Sequence, residues 1–133
     1  MPHELMFDED DPILARVREI ALSLPEAQLK ISHGRPAFFT KKVFAYYGGS
    51  VKLDGEWLQH PQSIVLQADA SEREALRQMP GSFIPAYLGA SGWTGVDLGE
   101  ASDWVEVREL IEESYRMTAP ASLVARLDEP GLA

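Results

Sequence analysis

The chain has 133 residues, of which 45% are hydrophobic and 25% charged, and this size and composition are typical of one folded domain. It contains no cysteine, which excludes disulfides and thiolate chemistry and predicts a cytoplasmic location. The formal net charge of −9 opposes binding to nucleic acid and anionic membranes at long range, and no apolar run reaches the roughly 18 residues of a membrane span.

The first ten residues are strongly acidic and lack the basic and apolar regions of a secretory signal. We therefore expect residues 1–10 to form a flexible arm and residues 11–133 to form a single domain. Asp11 followed by Pro12 is typical of a helix start, because the carboxylate caps the helix and proline fits its first turn. Apolar residues then recur at three- and four-residue steps until Pro25, which predicts one amphipathic helix.

Three short strands are predicted after this helix, at 29–31, 37–40 and 43–47, from alternating or β-branched and aromatic residues. The third is expected to stop at Gly48-Gly49. Residues 50–61 are then a loose connection, and residues 62–68 form a fourth strand.

The second half of the chain predicts a short helix at 69–79, an extended segment at 83–88 and a last strand at 93–98. Asp103 opens a long helix with a water-facing acidic side, and Trp104, Leu110 and Ile111 are predicted to be core. A last short helix ends near Leu127. Strands grouped between flanking helices predict an α+β two-layer sandwich, with helices packed on one face of an antiparallel sheet.

Several short segments, taken in this order and spacing between Ile13 and Leu127, resemble the MmcQ/YjbR family. They are Ala21-Leu22-Ser23-Leu24-Pro25, Ser32-His33-Gly34-Arg35-Pro36-Ala37-Phe38, Val43-Phe44-Ala45, Gly92-Trp93, Ala119-Pro120 and Leu123-Val124. The resemblance implies a fold like that of the frataxin homologue CyaY and of type III secretion chaperones. It also implies a domain often labelled DNA-binding, by analogy of shape, and fold alone does not fix function.

This chain departs from the family pattern at two places where a binding surface is expected. Family members typically carry an Asn-Lys pair, and often a histidine, just before the tryptophan, whereas residues 89–92 here read Gly-Ala-Ser-Gly. The connection at residues 50–61 is also longer. The positive loop that the resemblance implies is therefore missing.

Two segments, 32–38 and 87–93, each combine turn-forming residues with a polar or charged group and aromatic rings. We expect the ligand or partner to bind on the open sheet face beside them, through His33, Arg35, Tyr87 and Trp93. His33 is open to three interpretations, namely structural hydrogen bonding, ligand contact and general base. Neighbouring residues of a strand point to opposite sides, so Ser32 and His33 do not predict a nucleophile–base pair.

Charge is unevenly distributed along the chain. Residues 27–53 contain five cations and no acid, whereas residues 97–113 contain seven acids and one cation. One interpretation is two solvated faces of a globule. The other is an anion or nucleic-acid contact, supported by interleaved aromatic residues, through Lys30, Arg35, Lys41, Lys42 and Lys52.

These patterns predict a non-enzymatic binding or adaptor module, monomeric and without a membrane, whose partner is an unknown protein or small ligand. No catalytic residue, cofactor or metal is predicted, because the three histidines are scattered and no nucleotide-binding motif is present. The alternative is a DNA-binding protein that uses the basic hairpin of residues 27–53, with binding weakened by the net charge. A third hypothesis is a small-molecule enzyme without a recognisable motif.

Overall fold

The computed structural model describes residues 6–129, which form a six-stranded antiparallel sheet and four α-helices. The helices are α1 Pro12–Leu22, α2 Ala70–Arg77, α3 Trp104–Thr118 and α4 Ala121–Leu127. The strands are β1 Gln28–Ser32, β2 Arg35–Phe39, β3 Val43–Leu53, β4 Glu56–Gln67, β5 Ser82–Phe83 and β6 Trp93–Asp97, in the spatial order β1-β2-β3-β4-β6-β5. The α+β class predicted from the sequence is confirmed.

Carboxylates begin the three longer helices. Asp11 Oδ1 accepts a hydrogen bond of 2.9 Å from the Ile13 amide at the start of α1. Asp69 begins α2 in the same way, and Asp103 accepts from two amides at the start of α3. These bonds satisfy amides that would otherwise lack partners in the first turn, which explains why the helices begin at these residues.

The main core lies between the helices and one face of the sheet. Phe44 of β3 meets Tyr115 of α3 edge to face, with ring centroids 5.3 Å apart, and both side chains are fully buried. The buried Ser114 hydroxyl donates to the Phe44 carbonyl at 2.6 Å and accepts from the Gln67 amide at 2.9 Å. This hydroxyl ties α3 to both central strands without leaving a polar group unpaired.

The predicted core positions of α3 are only partly correct. Ile111 is fully buried, but Leu110 and Trp104 are half-buried and pack at the margin of the core. Leu110 lies instead along a depression between α2 and α3. The α3 helix therefore directs Val107, Ile111 and Tyr115 into the core, and Leu110 lies at the margin of the core.

The predicted end of the third strand at Gly48-Gly49 is wrong. Strand β3 continues to Leu53, and its register with β4 shifts between Tyr47 and Gly49. The two glycines form an irregularity that keeps the strand paired, as a β-bulge does. The segment predicted as a loose connection is therefore the far end of a long β3–β4 hairpin.

The sheet face opposite the helices carries a second apolar cluster of Val65, Phe83 and Trp93. Gly95 has no side chain, and the Phe83 ring occupies the space where its Cβ would lie. The helices cover only the other face of the sheet. This second cluster therefore lies beneath a face that loops, and not helices, border.

Residues 1–5 of the predicted flexible arm, including His3, lie outside the described residues. The Met6 amide donates to the Gly34 carbonyl at 2.8 Å, and Phe7 packs against the main core. None of the helices within residues 6–129 has the length and hydrophobicity that a membrane span requires.

Candidate functional site

A cleft with a volume of about 620 Å³ opens on the sheet face that the helices leave uncovered. The β1–β2 turn forms one wall, and the β3–β4 hairpin and the 86–88 loop form the others. Its described lining consists of Met6, Ser32, His33, Arg35, Tyr46, Gly48, Ser50, Trp57, Gln59, Val65, Ala86, Tyr87 and Leu88. A cleft of this size is in the range that holds a small molecule.

Arg35 is the permanently charged group of this lining. It begins β2, and its guanidinium Nη2 donates to the side-chain oxygen of Gln59 on the hairpin. Partial burial lowers the pKa of Arg35 below its usual value, although a guanidinium stays protonated at neutral pH. None of the described carboxylates forms an ion pair with it.

The charge of the cleft differs from that of the rest of the molecule. Its described lining contains no acidic residue, although the chain carries a net charge of −9. The depression between α2 and α3, on the helical side, is lined by five acids, namely Glu72, Asp103, Glu106, Glu109 and Glu113. An anion is therefore repelled by the helical side and meets a positive group in the cleft.

Aromatic rings line the cleft at two levels. Trp57 and Tyr87 meet at its mouth, with ring centroids 5.9 Å apart and ring planes inclined by 42°. Tyr46 lies deeper and rests on Trp93, with centroids 5.3 Å apart. The cleft thus offers apolar ring surface at both its mouth and its floor.

The β1–β2 turn explains why His33 projects beside the cleft. Ser32 pairs with Arg35, so His33 and Gly34 form a two-residue loop, and both have positive φ angles of 52° and 83°. Positive φ at both positions is the signature of a type I′ hairpin turn, which follows the twist of the strands. His33 is exposed there and takes part in a contact of its own.

The structure brings together three of the four residues predicted to bind a ligand. His33, Arg35 and Tyr87 line the same cleft. Trp93 does not line it, because it is 9% exposed and packs beneath Tyr46. Trp93 reaches the surface in a neighbouring depression that Lys42 and Met117 also line.

The five cations predicted to contact an anion do not form one patch. Lys41 and Lys42 lie at the turn before β3, whereas Lys52 lies near the other end of that strand. At the rise per residue of an extended strand, Lys42 and Lys52 are about 30 Å apart. Lys30 lies over the Phe39 ring at 4.8 Å, and Lys52 lies over the Trp57 ring at 5.5 Å. Arg35 is the member of this set that lines the cleft.

A histidine–carboxylate pair is present, but it lies outside the cleft. His60 Nδ1 is 2.8 Å from Asp97 Oδ1, and its ring stacks on Phe83 with centroids 3.9 Å apart. The nearby Ser63 hydroxyl is buried and donates to the His60 carbonyl. Within the described part of the chain, no group of three or more histidine or acidic side chains is arranged to hold a metal ion.

Trp57 and Gln59 are cleft residues that the sequence interpretation missed. Both belong to the segment predicted to be a loose connection. The signal that identifies them is Asp54-Gly55, because this dipeptide between two apolar segments is typical of a tight hairpin. The structure has that hairpin, with Leu53 paired to Glu56 and φ angles of 51° and 82° at the two loop residues.

An antiparallel sheet with helices on one face and a cleft on the other defines an α+β protein with an open sheet face. The model of the YjbR family matches residues 22–117, so the chain belongs to the YjbR family. The structure is similar to the crystal structure of Deinococcus radiodurans protein DR2400, which has a DUF419 domain. The two sequences are 16% identical, the similarity covers 88% of each chain, and the TM-score is 0.59. This structural similarity shows the fold alone. A search of curated proteins found no match.

Proposed function

We propose that this protein is a non-enzymatic, cytoplasmic binding module that holds a small anionic ligand in the cleft of its open sheet face. The observation that carries the proposal is Arg35, which is half-buried, held by Gln59 and paired with none of the described carboxylates. A guanidinium has five N–H donors, and those that do not bind Gln59 remain to donate to a carboxylate or phosphate. Such charge-assisted pairs are stronger than neutral hydrogen bonds.

The positions of the histidines support binding rather than catalysis. His60 and Asp97 form a pair of the kind that orients a general base, but His60 stacks on Phe83 outside the cleft. His33 borders the cleft at the exposed apex of a hairpin turn, where it can contact a ligand. The lack of cysteine favours the cytoplasmic location within this proposal.

Nucleic-acid binding through the basic hairpin of residues 27–53 is the second candidate function. It is favoured by Lys30 and Lys52, which lie over aromatic rings as cations do beside stacked bases. The net charge and the separation of Lys42 from Lys52 along β3 oppose tight binding.

The anion proposal is tested by titrating the ¹⁵N-labelled protein with cyclohexanecarboxylate and with cyclohexanecarboxamide, its uncharged analogue, and by following amide and side-chain NMR signals. We expect the carboxylate to shift the signals of Arg35 and Gln59 and to bind at least about tenfold more tightly than the carboxamide. Arg35→Gln should remove this difference. Lys30→Gln is the matched control, because it removes one positive charge from the same sheet outside the cleft.

Two results would contradict the proposal. One is equal affinity of the wild-type protein for carboxylate and carboxamide. The other is an equal loss of carboxylate binding in Arg35→Gln and Lys30→Gln, which would indicate nonspecific charge attraction.

A further inference from the structure

The mouth of the cleft exposes two large aromatic side chains side by side. Tyr87 is 82% exposed and Trp57 is 45% exposed, with their ring centroids 5.9 Å apart. Aromatic rings pair in offset-stacked or edge-to-face arrangements, so a pair of them bordering a cleft provides a surface on which another ring can stack.

Tyr87 is held in place by its backbone. Its φ angle is 66°, and the Leu88 amide donates to the Ala86 carbonyl at 2.7 Å across it, as in the strained γ-turn with positive φ. The Ala86 amide donates to the Ser50 carbonyl, and the Gly89 amide donates to the Pro85 carbonyl, both at 2.9 Å. Strain of this kind persists where surrounding bonds enforce it, and it is concentrated at ligand-binding positions.

The two ends of the cleft differ in chemistry. The mouth carries the rings of Trp57 and Tyr87, whereas the Arg35 guanidinium comes from the β1–β2 side and is held by Gln59 of the β3–β4 hairpin. Tyr46 and Val65 provide an apolar floor between them. A ligand that satisfies both ends has a flat apolar ring and an anionic group.

The charge count distinguishes between anionic groups. Arg35 is the permanent cation of the described lining, and Lys52, which lies over the Trp57 ring at 5.5 Å, is not one of the described lining residues. One guanidinium balances the single charge of a carboxylate but leaves half of the charge of a phosphate dianion uncompensated.

We propose that the ligand is a small aromatic carboxylate, with its ring against Tyr87 and Trp57 and its carboxylate on Arg35. This inference rests on the proposed function for the Arg35 end of the cleft. The stacking end is independent of it and can be tested separately.

The test compares benzoate with cyclohexanecarboxylate, which has the same charge and nearly the same size but no aromatic ring. We expect the wild-type protein to bind benzoate about fivefold more tightly, within the range of single aromatic pairs. Tyr87→Phe should keep this preference because it keeps the ring, whereas Tyr87→Ala should remove it. Circular dichroism shows that each variant is folded, and phenyl phosphate should bind more weakly than benzoate.

The results separate the two proposals. If benzoate and cyclohexanecarboxylate bind equally while Arg35→Gln still weakens both, the aromatic ligand is overturned and the anion cleft stands. The opposite result is that Tyr87→Ala removes the preference for benzoate, whereas Arg35→Gln changes neither this preference nor the affinity for either carboxylate. In that case the anion proposal fails. Tighter binding of phenyl phosphate would overturn the carboxylate, and binding of none of these probes at the cleft would overturn both proposals.

Discussion

The guanidinium of Arg35 lies over Gly48, in the space that a Cβ on Gly48 would fill. Gly48 also has a φ angle of 85°, in the left-handed region that favours glycine. The β3 irregularity at Gly48 therefore has two effects. It keeps β3 paired with the strand that carries Gln59, and it leaves space for the Arg35 guanidinium, which Gln59 contacts.

This relationship predicts a specific effect of Gly48→Ala. The new methyl group should displace the Arg35 guanidinium and weaken carboxylate binding, and the positive φ should cost about 1 kcal/mol or more of unfolding free energy. Gly55→Ala is the matched control, because Gly55 has nearly the same φ of 82° and no atom lies within 4 Å of the place that its Cβ would take. Gly55→Ala should lose comparable stability and keep its affinity for cyclohexanecarboxylate. Equal affinity in the two variants, measured by NMR titration, would contradict the role of Gly48.

Much of the fold could be predicted because its signals are local. Asp11 and Asp103 mark the starts of α1 and α3, and each carboxylate caps the helix that the apolar periodicity predicts. The course of β3 could not be predicted in the same way. A glycine pair can end a strand or form a bulge, and the pairing of β3 with β4 beyond Tyr47 decides between them here.

The candidate site was less predictable, because its parts meet only through tertiary structure. His33 and Arg35 flank a recognisable turn, but the Gln59 that contacts Arg35 is 24 residues away. Trp93 begins β6, as the predicted last strand at 93–98 implies. The packing of Tyr46 above it removes it from the cleft, and no local sequence pattern indicates this tertiary contact.

The burial of α3 predicts unequal effects for two neighbouring residues. Ile111→Ala should reduce the free energy of unfolding by about 2–5 kcal/mol, because Ile111 is fully buried in the main core. Leu110→Ala should cost less, since Leu110 is half-buried at the margin. Val105→Ala is the exposed control, with a side chain that is 70% exposed. Urea denaturation measures all three, and an equal loss for Leu110 and Ile111 would mean that the helix faces are assigned incorrectly.

The contact between Tyr47 and Asp11 predicts a dependence of stability on pH. Partial burial raises the pKa of Asp11, but hydrogen bonds from Tyr47, Gln62 and the Ile13 amide outweigh it and lower that pKa below its usual value. A lowered carboxyl pKa contributes stability above the pKa of the unfolded chain, and this contribution is lost as the pH falls through the folded pKa.

Tyr47→Phe should therefore destabilise the protein by about 1–2 kcal/mol at neutral pH, a value reduced for the partial exposure of Asp11. The difference from the wild-type protein should shrink as the pH falls through the acidic range in which Asp11 becomes protonated. Asp11→Asn is the control, since asparagine still caps the helix but cannot titrate. Urea denaturation at a series of pH values measures this, and a difference that grows towards acidic pH would contradict it.

The separation of the basic residues predicts weak duplex DNA binding with a shallow dependence on salt. At physiological salt we expect nonspecific binding with a Kd of about 10⁻⁴ to 10⁻⁶ M or weaker, because the net charge is −9.

If phosphates bind at the Lys41-Lys42 turn, the double variant Lys41→Ala/Lys42→Ala should flatten the slope of log K against log salt by about one unit for each phosphate that is no longer neutralised. Titration of labelled duplexes at several salt concentrations measures this slope, with Lys52→Ala as a control at the other end of β3. An unchanged slope in a folded double variant would exclude the turn as the phosphate site, whereas submicromolar, sequence-selective binding by the wild-type protein would make DNA binding the better account of the protein.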